Sequence, residues 1–166
     1  MTDEVWGMIK KYSPEIKRII LDNAKHFLHI SFATEEEDTK QSTDLIGEIK
    51  VKFAIRVRET NYRDFTIRTR SKYGGKTEID KIKDGDALCD YYFYFWGDSN
   101  GKISDWILVD MKIFKENKLY EGKEIKMMDK TWIEPRRNIP NGDGTEFTPY
   151  SIEELRETGC LVDGTL

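Results

Sequence analysis

The alternation of apolar and polar residues is clearest over residues 49–58, where it predicts a β-strand. Apolar side chains at every second position would share one face, and the basic residues between them would face solvent. Residues 64–70 repeat the pattern, with Phe65 and Ile67 facing inward. If the two strands pair antiparallel, their basic side chains share one surface. That surface would carry Lys50, Lys52, Arg56, Arg58, Arg68 and Arg70.

Helical spacing and capping residues predict four helices around these strands. Their expected ranges are 14–25, 77–85, 110–118 and 151–159, the first beginning at Ser13-Pro14 and the last at a capping box. The aromatic run over 90–96 is apolar on both faces, which is typical of a central strand. Further strands are expected at 27–32, 43–46 and 103–109.

This order of elements predicts an α+β fold, or an α/β fold with a mixed sheet. We expect a central antiparallel or mixed sheet of about five strands, bracketed by helices. After Tyr120 the pattern weakens, and residues 160–166 look like a loose tail. We therefore predict a single core domain over 1–120 and a C-terminal extension over 121–166 packed on it.

Charge changes this picture, because it is distributed unevenly along the chain. The formal net charge is −4, yet residues 50–70 hold seven bases and two acids, between acidic flanks. Local potential steers a charged ligand more than the total does, and phosphate backbones bind basic surfaces. Tyr62 and Tyr73, in the loops at the ends of the basic strands, could stack on bases. The simpler interpretation is a solvent face whose bases pair with acids from elsewhere.

Composition excludes several classes of protein. No apolar run approaches the ~18 residues of a membrane-spanning helix, and no apolar segment follows the acidic start of the chain. Cys89 and Cys160 form no CxxC motif, which predicts reduced thiols and a cytoplasmic protein. His26 and His29 are the only histidines. A zinc site or a serine triad is therefore disfavoured.

The layout over 13–110 resembles the core of the PD-(D/E)XK, or restriction-endonuclease-like, nucleases: a helix, three strands, a helix and a further strand. The segments STDL, RDFTIRTR and KTEIDKI are also similar to small uncharacterised proteins of bacteria and their phages. The similarity implies a bacterial cytosolic protein and leaves a phage origin open.

In the PD-(D/E)XK family an acid on the second strand and a (D/E)-x-K on the third hold one or two Mg²⁺ ions. The lysine orients or activates the attacking water. On this chain the resemblance implies Asp44 as the first acid and Glu48-Ile49-Lys50 as the E-x-K sequence. Other candidates are Asp64 on the following strand, Glu15 on the first helix, and Glu78 and Lys81 on the second.

The chemistry of such a site requires a hard cation held by several oxygen ligands. The metal polarises the phosphate and lowers the pKa of bound water. Asp44 with Asp64 or Glu78 would hold Mg²⁺ or Mn²⁺, and Lys50 would complete the catalytic set. Lys50, Arg56, Arg58 or Arg68 would neutralise charge that develops on the phosphate. Each acid also has a simpler role: Asp64 can pair with Arg68 or Arg63, Glu78 suits the first turn of a helix, and Asp44 can cap a turn.

Three functions follow from these observations. The preferred one is a metal-dependent nuclease acting on DNA or RNA, which requires three acids and a base within one metal site. The second is a non-catalytic nucleic-acid-binding module of the same fold, which requires the basic surface without the acids. The third is a small phage-type accessory or inhibitor protein that binds a protein partner through a large exposed patch. Whether the chain forms a homodimer stays open.

Overall fold

The structure, a computed structural model, describes residues 3–23, 29–32, 45–48, 51–59, 61–85, 89–127 and 130–166. The chain divides into two compact units, residues 1–52 and 53–166. Helices and strands are both present, and the strands form mixed and antiparallel sheets. The predicted α+β class is therefore confirmed.

The first unit contains helix α1 (Asp3–Asp22) and strands β1 (His29–Phe32) and β2 (Leu45–Glu48), which pair antiparallel. We expected α1 to begin at Pro14, but the helix runs through this residue. Proline removes one backbone hydrogen bond from a helix interior, and the helix continues on both sides of Pro14 despite this loss. Tyr12, Ile16 and Ile19 are buried on one face of the helix.

The second unit carries the remaining elements of the described chain. In order they are β3 (Phe53–Arg58), β4 (Asp64–Arg70), α2 (Glu78–Lys83), β5 (Tyr91–Gly97), β6 (Ile103–Asp110), α3 (Met111–Glu116), β7 (Lys123–Met127), β8 (Lys130–Glu134), β9 (Ile139–Pro140), β10 (Glu146–Ser151), α4 (Ile152–Glu157) and β11 (Leu161–Gly164).

These strands form a four-stranded mixed sheet and a three-stranded antiparallel sheet. The first has the order β11-β6-β5-β3 and the second the order β4-β10-β9, while β7 and β8 form a separate hairpin. β3 runs parallel to β5, with Arg56 opposite Tyr94. The expected antiparallel pairing of β3 with β4 is wrong, because β5 takes β3 as its neighbour and β4 pairs with β10.

One apolar cluster lies between the two sheets and helices α2, α3 and α4. Phe65 of β4 has no exposed surface, and its ring makes edge contacts with Tyr92 at 5.3 Å and Tyr94 at 5.5 Å between centroids. Phe114 of α3 closes the same group from a third element. Because Phe65 touches the four-stranded sheet directly, β4 lies against the basic side of β3 and not beside it.

Strand β5 is central, as its aromatic run predicts: it pairs with β3 on one edge and β6 on the other, and residues 92–96 are buried. Its hairpin with β6 is also confirmed. The expected loose tail is wrong, because β11 pairs with β6 and Leu166 packs against the core. Residues 121–166, expected to be an extension, supply strands to both sheets. In the described part of the chain, no helix has the length and apolar character needed to cross a membrane.

Candidate functional site

The basic side of β3 faces the second sheet, whereas the sequence pattern predicted that it faces solvent. The Arg56 and Arg58 side chains are only 21% and 20% exposed. Arg56 Nη1 donates to the backbone oxygen of Thr66 at 3.0 Å and to its Oγ1 at 3.2 Å. A buried guanidinium without hydrogen-bond partners is energetically costly. Thr66 of β4 supplies acceptors that offset this cost for Arg56.

Glu78 is the principal acceptor of this inner network. Its Oε1 accepts hydrogen bonds from Arg56 Nη2 and, at 3.2 Å, from the hydroxyl of Tyr92. Its Oε2 accepts the backbone N–H of Arg68 at 2.8 Å. Glu78 is held in place because Thr77 caps helix α2 through a reciprocal pair of hydrogen bonds with Asp80. One carboxylate thus ties together β3, β4, β5 and α2.

Arg58 forms the second half of the inner network. Its Nη1 donates to Asp64 Oδ1 at 2.8 Å and to the Tyr94 hydroxyl at 3.3 Å. The hydroxyls of Tyr94 and Thr66 are 2.8 Å apart and share a hydrogen bond. Tyr94 therefore links the Arg58–Asp64 pair to the Arg56–Glu78 pair. We call these six side chains the inner network: Arg56, Arg58, Asp64, Thr66, Glu78 and Tyr94, with Tyr92 donating to Glu78 from beside them.

Burial fixes the protonation states around the inner network. It raises the pKa of the Tyr92 hydroxyl, so this group stays neutral and donates to Glu78. Cys89 lines a cavity of about 60 Å³ beside Glu78 and Tyr92. Burial raises the pKa of its thiol to about 11. Because the thiolate is the nucleophile, Cys89 is unsuited to nucleophilic catalysis at neutral pH.

The residues predicted to hold a metal ion are placed as follows. Asp44 and Lys50 lie outside the described residues. Asp64 and Glu78 both accept from arginines, and Glu15 lies 3.9 Å from Arg18 on its own helix. Within the described ranges, no three His, Cys, Asp or Glu residues are grouped to hold a metal ion. The Mg²⁺ or Mn²⁺ site therefore stays a prediction that depends on Asp44 and Lys50.

The predicted nucleic-acid-binding residues divide into two groups. Arg56 and Arg58 belong to the inner network, whereas Lys52, Arg68 and Arg70 are exposed. Asp64, Thr66 and Arg68 alternate along one side of β4, and a shift in the β4–β10 register interrupts this alternation before Arg70. The first two contact Arg58 and Arg56, and the last two reach solvent. The side of β4 is thus half covered, with Glu78 at the boundary.

The exposed half continues into the loop after β4. Lys72 and Tyr73 follow Arg70 directly, and the Tyr73 side chain is 89% exposed, the highest value among the large hydrophobic side chains described. Between Phe65 and Thr77 the sequence contains four bases and no acid. We call the set Arg68, Arg70, Lys72 and Tyr73 the basic ledge.

Two acids approach the basic ledge from the β9–β10 turn and from β10. Glu146 Oε1 accepts from Arg70 at 2.9 Å. Asp143 accepts from the hydroxyl and the backbone N–H of Thr145. These hydrogen bonds, together with the charges of Arg68 and Lys72, lower the pKa of the Asp143 carboxyl. The ledge therefore carries three bases with two acids nearby.

Sequence reasoning missed Thr66, Tyr92 and Tyr94 as members of the polar network. One signal was available: Tyr92 and Tyr94 alternate in the aromatic run of β5 and so share a face, and two hydroxyls on one buried face require partners. The partners of Tyr94 and Tyr92 come from β3, β4 and α2. Without the packing of the two sheets, these partners could not be identified.

Comparisons with known proteins do not assign a family or a function to this site. No family model, no curated protein and no solved structure matches the chain.

Proposed function

We propose that this protein binds nucleic acid through the basic ledge, as a non-catalytic module. The observation that carries the proposal is the exposed run of Arg68, Arg70 and Lys72 next to an exposed aromatic ring. Lysine and arginine side chains bind phosphate by releasing condensed counterions, and an exposed ring accepts a stacked base.

The inner network supports this choice over the nuclease hypothesis. A metal-dependent nuclease needs carboxylate oxygens that are available to a cation. Asp64 and Glu78 instead bind Arg58 and Arg56, in pairs about three-quarters shielded from solvent. Removing either carboxylate from its arginine would leave a shielded charge without a partner. These acids therefore already have arginine partners, which supports the non-catalytic module.

The experiment is a salt titration of binding to a fluorescently labelled 20-nucleotide oligonucleotide, followed by anisotropy. For single-stranded DNA the logarithm of affinity falls with the logarithm of salt concentration, by about 0.7 for each neutralised phosphate. The double variant Arg68→Ala/Arg70→Ala should lower affinity about tenfold and reduce the slope by about 1.4.

The matched control is Lys112→Ala/Lys118→Ala, which removes the same charge from two exposed lysines on and after helix α3. It should leave the slope unchanged. Absence of any binding at low salt, or equal losses in the two double variants, would refute the proposal.

The nuclease hypothesis is tested in the same samples. Plasmid and single-stranded DNA are incubated with Mg²⁺, Mn²⁺ or a chelator, with Asp44→Asn and Asp64→Asn as variants. Because the proposed module is non-catalytic, we expect no metal-dependent cleavage. Cleavage that needs the metal and is lost in Asp44→Asn would establish the nuclease instead.

A further inference from the structure

The loop that carries Tyr73 presents its ring away from the protein. Gly74 and Gly75 follow with backbone φ angles of +74° and +92°, which glycine adopts without strain. Outside the adjacent residues, no atom lies within 4 Å of the position that a Cβ would take at either glycine. The chain turns here in open space, and the Tyr73 residue beside the turn is 89% exposed.

The surroundings of Tyr73 differ from those of the other exposed ring described. Lys72 Nζ lies 5.4 Å from the centre of the Tyr73 ring, and Arg68 and Arg70 precede it on β4. Tyr62 is 75% exposed, but the adjacent Arg63 is bound to Asp105 at 2.9 Å. Tyr62 therefore has one acid-bound arginine beside it in the sequence, whereas three bases precede Tyr73 within five residues, of which Arg70 is bound to Glu146.

An exposed ring beside phosphate-binding side chains favours one form of nucleic acid. In a duplex the bases are already paired and stacked, so their faces are hidden except at the ends. An unpaired base can leave its neighbours and stack on a protein ring, which contributes about 1–3 kcal/mol per base. The phosphates of duplex DNA would bind the basic side chains of the ledge, but the duplex would gain no stacking affinity from Tyr73.

We infer that Tyr73 stacks on an unpaired base, and that the ligand of the basic ledge is single-stranded nucleic acid. This inference rests on the proposed function. Arg68, Arg70 and Lys72 bind the phosphates, and Tyr73 adds affinity that does not depend on charge. The shared chemistry is an unpaired base next to a phosphate, which both DNA and RNA strands provide.

The test compares 12-nucleotide DNA and RNA strands with duplexes of the same sequence, by anisotropy with the full chain. Tyr73→Ala should weaken single-strand binding about 5- to 150-fold and change duplex binding less than twofold. Tyr73→Phe, which keeps the ring, and Tyr62→Ala should bind single strands like the unaltered protein. Because tyrosine is uncharged, Tyr73→Ala should also leave the salt slope unchanged.

The possible results separate the inference from the function on which it rests. If no nucleic acid binds, the proposed function fails, and the inference fails with it. If binding depends on salt but duplexes bind as tightly as single strands, only the inference is overturned. Equal losses for both ligands in Tyr73→Ala would overturn it as well. If Tyr73→Ala weakens binding of only the DNA strand or only the RNA strand, the inference is supported, and the result identifies which of the two is the ligand.

Discussion

At the residue scale, Glu78 is the side chain on which the inner network depends most. Its two oxygens accept from Arg56, from Tyr92 and from the backbone of Arg68. Glu78→Gln keeps the size of the side chain but removes the charge opposite Arg56 and turns an N–H₂ group towards donors. We expect this variant to lower the free energy of unfolding by roughly 1–3 kcal/mol, measured by urea denaturation.

Glu116→Gln is the matched control for this substitution. Its carboxylate lies 3.9 Å from Lys112 with both side chains largely exposed, so the change should stay within about 0.5 kcal/mol. Equal effects in the two variants would show that the inner network does not stabilise the fold. A stable Glu78→Gln that has lost metal-dependent cleavage would place Glu78 in a metal site.

The sequence allowed structural roles to be predicted for Asp64 and Glu78, but it did not identify the residues that they bind. The sequence indicated that Asp64 could pair with Arg68 or Arg63, whereas it binds Arg58. Local spacing favours partners nearby in the chain, and the true partner comes from another sheet. Only the packing of β4 across β3 brings Arg58 to Asp64.

At the element scale, the β7–β8 hairpin depends on a close approach at Gly122. A Cβ there would lie 2.5 Å from the carbonyl oxygen of Glu134 and 2.5 Å from Ile133 Cγ2. Gly122→Ala would push the two strands apart at this end, and backbone atoms cannot move as a flexible side chain does. We expect a loss of roughly 1–3 kcal/mol in the free energy of unfolding.

Gly142→Ala provides the comparison, since no atom lies within 4 Å of its Cβ position and its φ is not positive. Alanine there should be neutral, or stabilising by up to about 1 kcal/mol through the unfolded chain. Thermal and urea denaturation of both variants measure the difference. An undisturbed Gly122→Ala protein would mean that the hairpin is not packed as described.

Elements with strong periodicity were predictable, and their pairing was not. Strand β4 has the predicted bounds of 64–70, and helix α2 begins after the predicted cap at Thr77. Strands β7 and β8, over KEIKM and KTWIE, escaped prediction because they are short and charged. Strand pairing depends on which faces other elements cover. The basic residues of β3 have the sequence pattern of a solvent-exposed face, but β4 contacts Arg56 and Arg58.

At the scale of the whole molecule, the net charge of −4 describes no single surface. Of the six bases predicted to line one exposed surface, Arg56 and Arg58 are in the inner network, and Lys50 lies outside the described residues. Arg68 and Arg70 reach solvent and, with Lys72, form the basic ledge. The sequence located the positive segment correctly but could not separate the half that neutralises internal acids from the half that reaches solvent.

If local and not total charge controls binding, equal charge changes at two sites must have unequal effects. Asp143→Asn and Asp98→Asn both raise the net charge by one. Both residues use Oδ1 to accept backbone N–H groups in exposed turns, a role that asparagine retains. Asp143 lies within the electrostatic influence of Arg68 and Lys72, whereas Asp98 lies in the β5–β6 turn.

We therefore expect Asp143→Asn to strengthen oligonucleotide binding roughly two- to fivefold at low salt, and the gain to shrink as the Debye length falls to about 8 Å at 0.15 M ionic strength. Asp98→Asn should change the affinity much less, and anisotropy titrations at two salt concentrations measure both. Equal gains would mean that the whole chain repels the ligand through its net charge. A gain confined to Asp143→Asn means that the ligand lies at the ledge, where this one carboxylate competes with phosphate for Arg68 and Lys72.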